Sequence, residues 1–250
     1  MTGARYPSLN GQPVLITGGA TGIGADMVRA FHGQGARVGF LDLQAEAGAA
    51  LAADLPGAEF VQADVTDIPA LKAAINDIAD RLGPIRVLVN NAASDKREAV
   101  DNIDPADWDL SQAINLRPQF FAAQAVKTGM AKAGGGSIIN LSSIAWRLGH
   151  GDMTPYTTAK SAVIGLTKAL ADAFGAEKIR VNAIEPGAVL TKRQRALWFK
   201  TDEAVADLLS RQTLALEITG EDIAAMALFL ASDETRAITG QSFIVDAGMA

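Results

Sequence analysis

The chain has 250 residues, 49% of them hydrophobic, and its 22 Lys and Arg against 28 Asp and Glu give a formal net charge of -6. A chain of this length and composition can bury a large core and is expected to fold as one globular unit. The acidic balance, with no basic block, argues against a nucleic-acid partner, and no window reaches the ~18 apolar residues of a membrane span.

Cysteine is absent from the chain, and only His32 and His150 supply imidazoles. Disulfides, thiolate nucleophiles and cysteine metal sites are therefore excluded, and no metal site is expected. The sequence signatures of serine hydrolases, zinc proteases and P-loop proteins are also missing. Residues 1–13 contain no apolar leader segment, so we expect a soluble protein that stays in the cytoplasm.

The first element is an apolar strand at residues 14–17, followed at once by a glycine-rich turn and a helical pattern. Gly18, Gly22 and Gly24 allow a tight turn and a close backbone approach, which leaves the helix N-terminus facing a pyrophosphate. The spacing is G-x-x-x-G-x-G and not the common G-x-G-x-x-G. A glycine turn without any ligand is the alternative.

The second strand, at residues 37–42, ends in an acid. Asp42 lies 18 residues beyond Gly24, where an acid hydrogen-bonds the adenosine ribose and repels a 2′-phosphate. Thr21, before Gly22, offers no positive charge to such a phosphate. These features favour NAD and disfavour NADP without excluding it, while the alternative is that Asp42 only caps the next helix.

Two further strands are predicted at residues 59–65 and 85–89. The first contains Asp64 and Val65 at its end, and the second runs into a small, amide-rich stretch at residues 90–93. Parallel strands present their carboxyl ends along one edge of a sheet, so we expect these ends and the glycine turn to line a single crevice.

The next helix begins at Asp104 and Pro105 and carries Asn115 in an apolar interior, where a buried amide needs partners or a kink. A fifth strand, at residues 137–141, ends at Ser142 and Ser143. A sixth follows at residues 179–184.

Between these strands, Thr154 is predicted to be an N-cap and Pro155 the first helical residue. Tyr156 and Lys160 are four residues apart and therefore share a helix face. A cation so placed lowers a phenol pKa by roughly 1 to 3 units, which prepares Tyr156 for proton transfer. The alternative is a half-buried aromatic residue beside a solvated lysine.

Residues 186–201 show no clear period, which is typical of a lid or a binding segment, and we place a substrate loop at about 188–213. A closing helix and a seventh strand at residues 242–245 follow. Residues 1–250 thus form a single α/β domain with a doubly wound, seven-stranded parallel sheet and helices on both faces.

Taken in order, these residues resemble the short-chain dehydrogenase/reductase family, which has a Rossmann fold. The resemblance rests on T-G-x-x-x-G-I-G at 17–24, Asp42, Asp64-Val65, N-N-A at 90–92, Asn115, Ser143, Tyr156, Lys160 and P-G-x-x-x-T at 186–191. Ser143 lies 13 residues before Tyr156, which is the family's usual separation. Ala93 replaces a common glycine, and D-A-G at 246–248 replaces D-G-G.

The resemblance implies that Tyr156 exchanges the substrate proton while hydride passes to the nicotinamide. It implies that Lys160 holds the nicotinamide ribose, that Ser143 hydrogen-bonds the substrate oxygen, and that Asn115 supports a water leading to solvent. The implied cofactor contacts are Gly18, Thr21, Gly22, Ile23, Gly24, Asp42, Leu43, Asp64, Val65, Asn91, Ala92, Tyr156, Lys160, Pro186, Gly187, Val189 and Thr191.

Within the family, the chain is similar to bacterial sugar dehydrogenases of the aldose 1-dehydrogenase, D-xylose type, which implies oxidation of an aldose C1 to the lactone with NAD. The expected substrate contacts are Asp95, Arg97, Ser143, Trp146, His150, Tyr156, Gln194 and Trp198. The alternatives are a reductase of a 3-oxoacyl thioester or a steroid, and a non-catalytic NAD-sensing protein. Family members form homotetramers or homodimers, so the same is expected here.

Overall fold

The structure is a computed structural model that describes residues 3–250, so Met1 and Thr2, the start of the N-terminal segment assessed above, lie outside the described residues. Seven strands form one parallel sheet in the order β3-β2-β1-β4-β5-β6-β7. The strands are β1 (Pro13–Thr17), β2 (Arg37–Asp42), β3 (Glu59–Gln62), β4 (Val87–Asn90), β5 (Gly136–Leu141), β6 (Ile179–Pro186) and β7 (Ser242–Val245).

Ten α-helices accompany the sheet within residues 3–250. They are α1 (Gly22–Gly33), α2 (Ala45–Asp54), α3 (Ile68–Leu82), α4 (Pro105–Asn115), α5 (Arg117–Lys132), α6 (Ala145–Leu148), α7 (Thr154–Phe174), α8 (Lys192–Leu197), α9 (Asp202–Ser210) and α10 (Gly220–Ala231). Single 3-10 turns lie at Pro7–Leu9, Val100–Asn102, Gly151–Met153, Gly175–Glu177 and Asp233–Thr235. None of the helices in the described part of the chain is long and apolar enough to cross a membrane.

The sheet is buried on both faces, which explains why its central strands are continuous apolar runs. Successive side chains point to opposite faces of a strand. In β1, Val14 and Ile16 therefore join a core under α1 and α10, while Leu15 joins a second core under α3, α5 and α7. The predicted doubly wound α/β architecture is confirmed.

Several predicted boundaries were wrong. β3 ends at Gln62, so Asp64 and Val65 follow the strand, and β4 begins at Val87. Thr154 is the first residue of α7 and not its N-cap, because its φ of -51° and ψ of -49° are helical and Met153 precedes it as the cap. Its hydroxyl donates to the Gly151 carbonyl.

The α4 N-cap was predicted correctly, since the Asp104 carboxylate accepts from the Asp107 amide at 2.8 Å. Asn115, however, is the last residue of α4 and not an interior one, and the chain turns at Leu116 before α5 begins. The buried amide is accommodated by both of the expected means, namely a break in the helix and buried partners.

The predicted substrate loop is partly helical, because α8 and α9 lie inside it. α9 has a short amphipathic pattern, with Val205 and Leu208 buried, whereas α8 buries no residue. A six-residue helix has too few turns to show a period, so residues 186–201 read as irregular.

Candidate active site

A cleft of about 1220 Å³ lies along the carboxyl edge of the sheet, where the strand order reverses between β1 and β4. Ligands of open α/β sheets bind at this switch point. All 17 predicted cofactor residues line the cleft, and so do Ser143, Asp95, Arg97, His150 and Gln194. Asn115, Trp146 and Trp198 do not line it.

The glycine turn forms a cradle that side chains would fill. A Cβ on Gly24 would stand 1.9 Å from the Gly18 carbonyl oxygen, and Gly18 itself has a φ of +66°. Thr21 precedes α1 without capping it through its side chain, so the first amides of the helix keep no side-chain partner. This arrangement fits the pyrophosphate of a dinucleotide.

Asp42 lies at the end of β2 with both carboxylate oxygens engaged. Oδ2 accepts from the Ala20 amide at 2.9 Å, and Oδ1 accepts from the Gln44 amide at 3.0 Å. Each oxygen has a second lone pair for a ribose hydroxyl. The Gln44 side chain also donates to the Thr21 hydroxyl at 3.2 Å, which links the β2 end to the glycine turn.

Asn91, the residue after β4, stabilises the glycine turn. Its side-chain amide donates to the carbonyls of Thr17 at 3.2 Å and Gly18 at 2.8 Å. The Thr17 hydroxyl in turn accepts from the backbone amides of Asn91 and Ala92. These bonds hold the backbone on both sides of the cleft at a fixed separation.

Tyr156 is half-buried at the start of α7, and its hydroxyl hydrogen-bonds that of Ser143. Burial raises the pKa of Tyr156 to about 12, although the Ser143 hydrogen bond opposes the increase. The expectation that the pKa of Tyr156 is lowered is wrong, because loss of hydration of the phenolate dominates. The phenol is therefore protonated at neutral pH.

Lys160 shares a helix face with Tyr156, as predicted, and its Nζ lies 5.5 Å from the centre of the tyrosine ring. It is 1% exposed rather than solvated. Its Nζ donates to the Leu141 carbonyl at 2.8 Å, and burial lowers the pKa of Lys160 to about 7. Ser142 points the other way from Ser143, since its hydroxyl donates to the Lys160 carbonyl at 2.6 Å.

Asn115, the last residue of α4, is completely buried against the segment that follows β4. Its Oδ1 accepts from the Ser94 amide at 2.9 Å, and its Nδ2 donates to the carbonyls of Ser94 and Ser111. The side chain thus positions the loop that carries Asp95. Its backbone carbonyl accepts from Gln119 at 3.2 Å.

The substrate end of the cleft is formed by loops that are tied together by charged groups. The Asp95 carboxylate accepts from the Arg193 guanidinium and, at 2.6 Å, from the Gln194 amide, which joins α8 to the segment after β4. Arg97 pairs with Asp152 at 3.2 Å.

Two predicted substrate residues are not among those that line the cleft. The Trp146 indole donates to the fully buried Glu185 at 2.9 Å, and the Arg147 guanidinium donates to the same carboxylate near the end of β6. Trp146 therefore lies in a surface depression with residues of α7. The Trp198 ring packs against the guanidinium of Arg97, which lies 4.2 Å from the ring centre.

Sequence reasoning missed several residues that line the cleft, and they are Leu110, Ile114, Met153, Leu190, Arg193, Phe199, Thr219, Gly220 and Met249. Phe199 lines the cleft, whereas its neighbour Trp198 was the residue expected to do so. Met249 reaches the cleft because the Asp246 carboxylate accepts from three backbone amides of residues 248–250 and holds the C-terminal segment in place. No pattern in the sequence indicated either contact.

Comparison with known proteins decides the family. A family model described as enoyl-(acyl carrier protein) reductase matches residues 18–250. A probable galactose dehydrogenase of Rhizobium meliloti (strain 1021) is 45% identical over 251 residues, which cover 98% of each chain. A D-xylose 1-dehydrogenase of Caulobacter vibrioides (strain NA1000 / CB15N) is 43% identical over 252 residues, which cover 99% of each. The chain belongs to the short-chain dehydrogenase/reductase family.

A solved structure of a short-chain type dehydrogenase/reductase from Mycobacterium ulcerans has the same fold, with a TM-score of 0.89 at 27% identity, covering 98% of this chain and 91% of that one. The predictions of family, fold and enzyme class are confirmed, and the protein is an oxidoreductase. Short-chain dehydrogenases use a nicotinamide cofactor, for which the glycine cradle and the cleft have the required form.

Proposed function

We propose that this short-chain dehydrogenase oxidises a hydroxyl group of a sugar or polyol with NAD, and that the reaction converts an aldose at C1 to the lactone. The observation that carries the proposal is that Ser143, Tyr156 and Lys160 line one cleft together with charged and amide side chains. The galactose and xylose dehydrogenases named above, which are similar over nearly their whole length, support the sugar assignment.

The chain's own residues account for the binding of the dinucleotide. The N-terminus of α1 and the glycine turn receive the pyrophosphate, and Asp42 receives the adenosine ribose. A 2′-phosphate would meet the Asp42 carboxylate at short range, so NAD is preferred to NADP. A nicotinamide held there would supply the acceptor for the hydride that leaves the carbon carrying the reacting hydroxyl. Lys160 holds the adjoining ribose, and residues 186–191 hold the carboxamide.

Tyr156 acts as the general base in the oxidation, and Ser143 holds the substrate oxygen by a hydrogen bond. A phenol with a pKa of about 12 is a weak base at neutral pH, so the site must favour the phenolate during turnover. The Lys160 ammonium is the protein cation on the same helix face. A cation this near favours the phenolate by electrostatic attraction.

Polar side chains that suit a polyol line the cleft beside apolar ones such as Leu110 and Met153. Asp95, Arg97, His150 and Gln194 line it, and a polyol supplies both donors and acceptors to such groups. An apolar substrate would remove these groups from water without replacing their hydrogen bonds, which is unfavourable.

The test is a panel of pentoses, hexoses and sugar alcohols with NAD or NADP, followed by absorbance of the reduced cofactor. We expect turnover of at least one aldose with NAD and weaker turnover with NADP. Tyr156→Phe should retain NAD binding and lose activity by about 100-fold or more, since general-base catalysis contributes roughly that factor. Silence across the panel, with reduction of 3-oxoacyl thioesters or steroids instead, would refute the sugar assignment.

We infer a homotetramer or homodimer, to be measured by sedimentation velocity, and a cytoplasmic location. Residues 188–213, which include α8 and α9, are proposed as the substrate loop of the single domain.

A further inference from the structure

Glu185 is a buried carboxylate that the proposed chemistry does not use directly. It is the last but one residue of β6 and is completely buried. Its Oε2 accepts from the Trp146 indole at 2.9 Å and from the Arg147 Nε at 2.8 Å, and its Oε1 accepts from a terminal nitrogen of Arg147 at 2.9 Å. A two-point bond between guanidinium and carboxylate fixes both distance and orientation. Two of the four residues of α6 are therefore fastened to β6.

The helix α6 has few other means of keeping its position. It spans one turn, buries only Ala145 among its four residues, and ends at Gly149, whose φ is +67°. A helix this short is not stable by itself, because nucleation is costly. Besides its packing against α7, it is joined to β6 by the Glu185 bonds and by the bond from the Ile144 amide to the Pro186 carbonyl at 3.1 Å. The carboxylate is thus the side-chain anchor of α6 on β6.

The start of α6 sets the orientation of Ser143. The Ser143 Oγ accepts from the Ala145 amide at 3.1 Å. A serine hydroxyl has one proton and two lone pairs, so this bond leaves the proton and one lone pair for the substrate oxygen and for Tyr156. A displacement of α6 would move the Ala145 amide and rotate the Ser143 hydroxyl.

We propose that Glu185 is a positioning residue, which holds α6 through Trp146 and Arg147 and thereby fixes the orientation of Ser143 for catalysis. This inference rests on the roles proposed for Tyr156 and Ser143 and is independent of which hydroxyl compound is the substrate. Replacing a buried ion pair by apolar residues is often neutral or stabilising, so stability alone does not account for the carboxylate. Its paired bonds supply a defined geometry for the turn that follows Ser143.

The pH dependence of turnover distinguishes positioning from a general loss of structure. In the oxidation the phenolate of Tyr156 is the base, so kcat rises as the pH approaches the pKa of Tyr156 from below. The bond from Ser143 lowers that pKa. If the bond weakens, the pKa increases, and the rising part of the profile moves to higher pH by about 0.4 to 1 unit, which is the effect of one hydrogen bond.

A direct electrostatic effect of the ion pair would act differently. Among the described residues, the charged groups that act on the pKa of Tyr156 are Asp95 and Arg193 from the facing segments, and Lys160 lies on the same helix face. Removing a carboxylate would lower the pKa of a nearby phenol, whereas removing a guanidinium would raise it. Shifts in the same direction in variants of both partners therefore exclude a charge effect and indicate positioning.

The experiment measures kcat, KM and the pH profile with a substrate identified by the panel above. The proteins are the wild type, Glu185→Gln, Arg147→Met and the double variant, which leaves no unpaired charge and serves if a single variant does not fold. The controls are Glu177→Gln and Arg81→Met, which break ion pairs outside the cleft. Calorimetric titration with NAD checks that each variant retains the cofactor site.

We expect kcat to fall by about 10-fold to 100-fold in both single variants and in the double variant, since a small misplacement of a catalytic group is costly. The rising part of the pH profile should move upward in all three, while their NAD dissociation constants stay within about threefold of the wild type and both controls behave as the wild type. Unchanged rates, a lower rate with an unmoved profile, shifts of opposite sign or a loss of NAD binding would overturn the role of Glu185 and leave the proposed function intact. A wild type without turnover of any hydroxyl compound would overturn both.

Discussion

Replacing Lys160 by methionine should stabilise the folded protein while it removes the catalytic ammonium. Burial lowers the pKa of Lys160 from 10.5 to about 7, so the protonated side chain is less favourable in the folded chain than in water. The two pKa values differ by about 3.5 units, and each unit corresponds to about 1.4 kcal/mol. Removing the charge can therefore raise the free energy of unfolding by at most about 5 kcal/mol. Methionine has a similar length and no charge.

Part of that gain is lost with the hydrogen bond from Nζ to the Leu141 carbonyl. The carbonyl still accepts from Gln119 at 3.3 Å, so the loss is limited to about 1 kcal/mol. We therefore expect Lys160→Met to raise the free energy of unfolding by about 2 to 4 kcal/mol at pH 6. Dehydrogenase activity should fall by about 10-fold to 1000-fold, since a nearby cation favours the phenolate by about 1 to 3 pKa units.

The stability gain has a defined pH dependence. Below about pH 7 the lysine is protonated in the folded and in the unfolded chain, so its full penalty is present. Between about 7 and 10.5 the folded chain releases a proton that the unfolded chain keeps. Wild-type stability then rises with pH relative to the variant, by up to about 1.4 kcal/mol per pH unit, and the two proteins converge.

The assay is urea denaturation without nucleotide from pH 6 to about 9.5, which stays below the titration of free tyrosine near 10. Lys168→Met is the matched control, because Lys168 is exposed on the same helix, and it should change stability by less than about 0.5 kcal/mol at every pH. Parallel pH curves for wild type and Lys160→Met, or a variant less stable than wild type at pH 6, would refute the assignment of a buried, destabilised ammonium.

Two other substitutions test the glycine turn and the C-terminal turn. Gly24→Ala places a Cβ 1.9 Å from the Gly18 carbonyl oxygen and should weaken NAD binding by at least about 100-fold in calorimetric titration, whereas Gly165→Ala, on α7 with nothing within 4 Å, should leave binding unchanged. Ala247 has a φ of +57°, so Ala247→Gly should relieve about 1 to 2 kcal/mol of backbone strain. Glycine also increases the conformational entropy of the unfolded chain, which offsets about 0.4 to 1 kcal/mol of that gain. Urea denaturation should show a net stabilisation of about 0.5 to 1 kcal/mol, and a destabilised variant would contradict the strain argument.

Much of the fold was predictable because its signals are local. An apolar run buried on both faces identifies each inner strand, and Gly18 and Gly24 mark the turn that follows β1. The boundaries that failed depend on tertiary context. Thr154 has the chemistry of an N-cap, but its hydroxyl bonds backward to Gly151, and the helix starts one residue earlier than its side chain suggests.

The cofactor end of the cleft was also predictable, since strand ends and the glycine turn place their residues through the sheet alone. The substrate end depends on contacts between distant segments. Trp146 was assigned to the pocket because an aromatic face suits a sugar, yet its indole donates to Glu185, 39 residues later. No sequence pattern indicates that Glu185, near the end of β6, is buried, so its hydrogen bonds with Trp146 and Arg147 could not be predicted.

The spacing of Tyr156 and Lys160 shows that the two groups are neighbours but not which protonation state they adopt. That state depends on hydration, which the surrounding elements remove. Burial disfavours every charge, so it raises the pKa of the phenol to about 12 and lowers that of the ammonium to about 7. The same burial that penalises each charge alone strengthens the attraction between them when both are present. Burial therefore favours a neutral pair, and the phenolate becomes favourable only together with a cation beside it, which is why the proposed base requires Lys160.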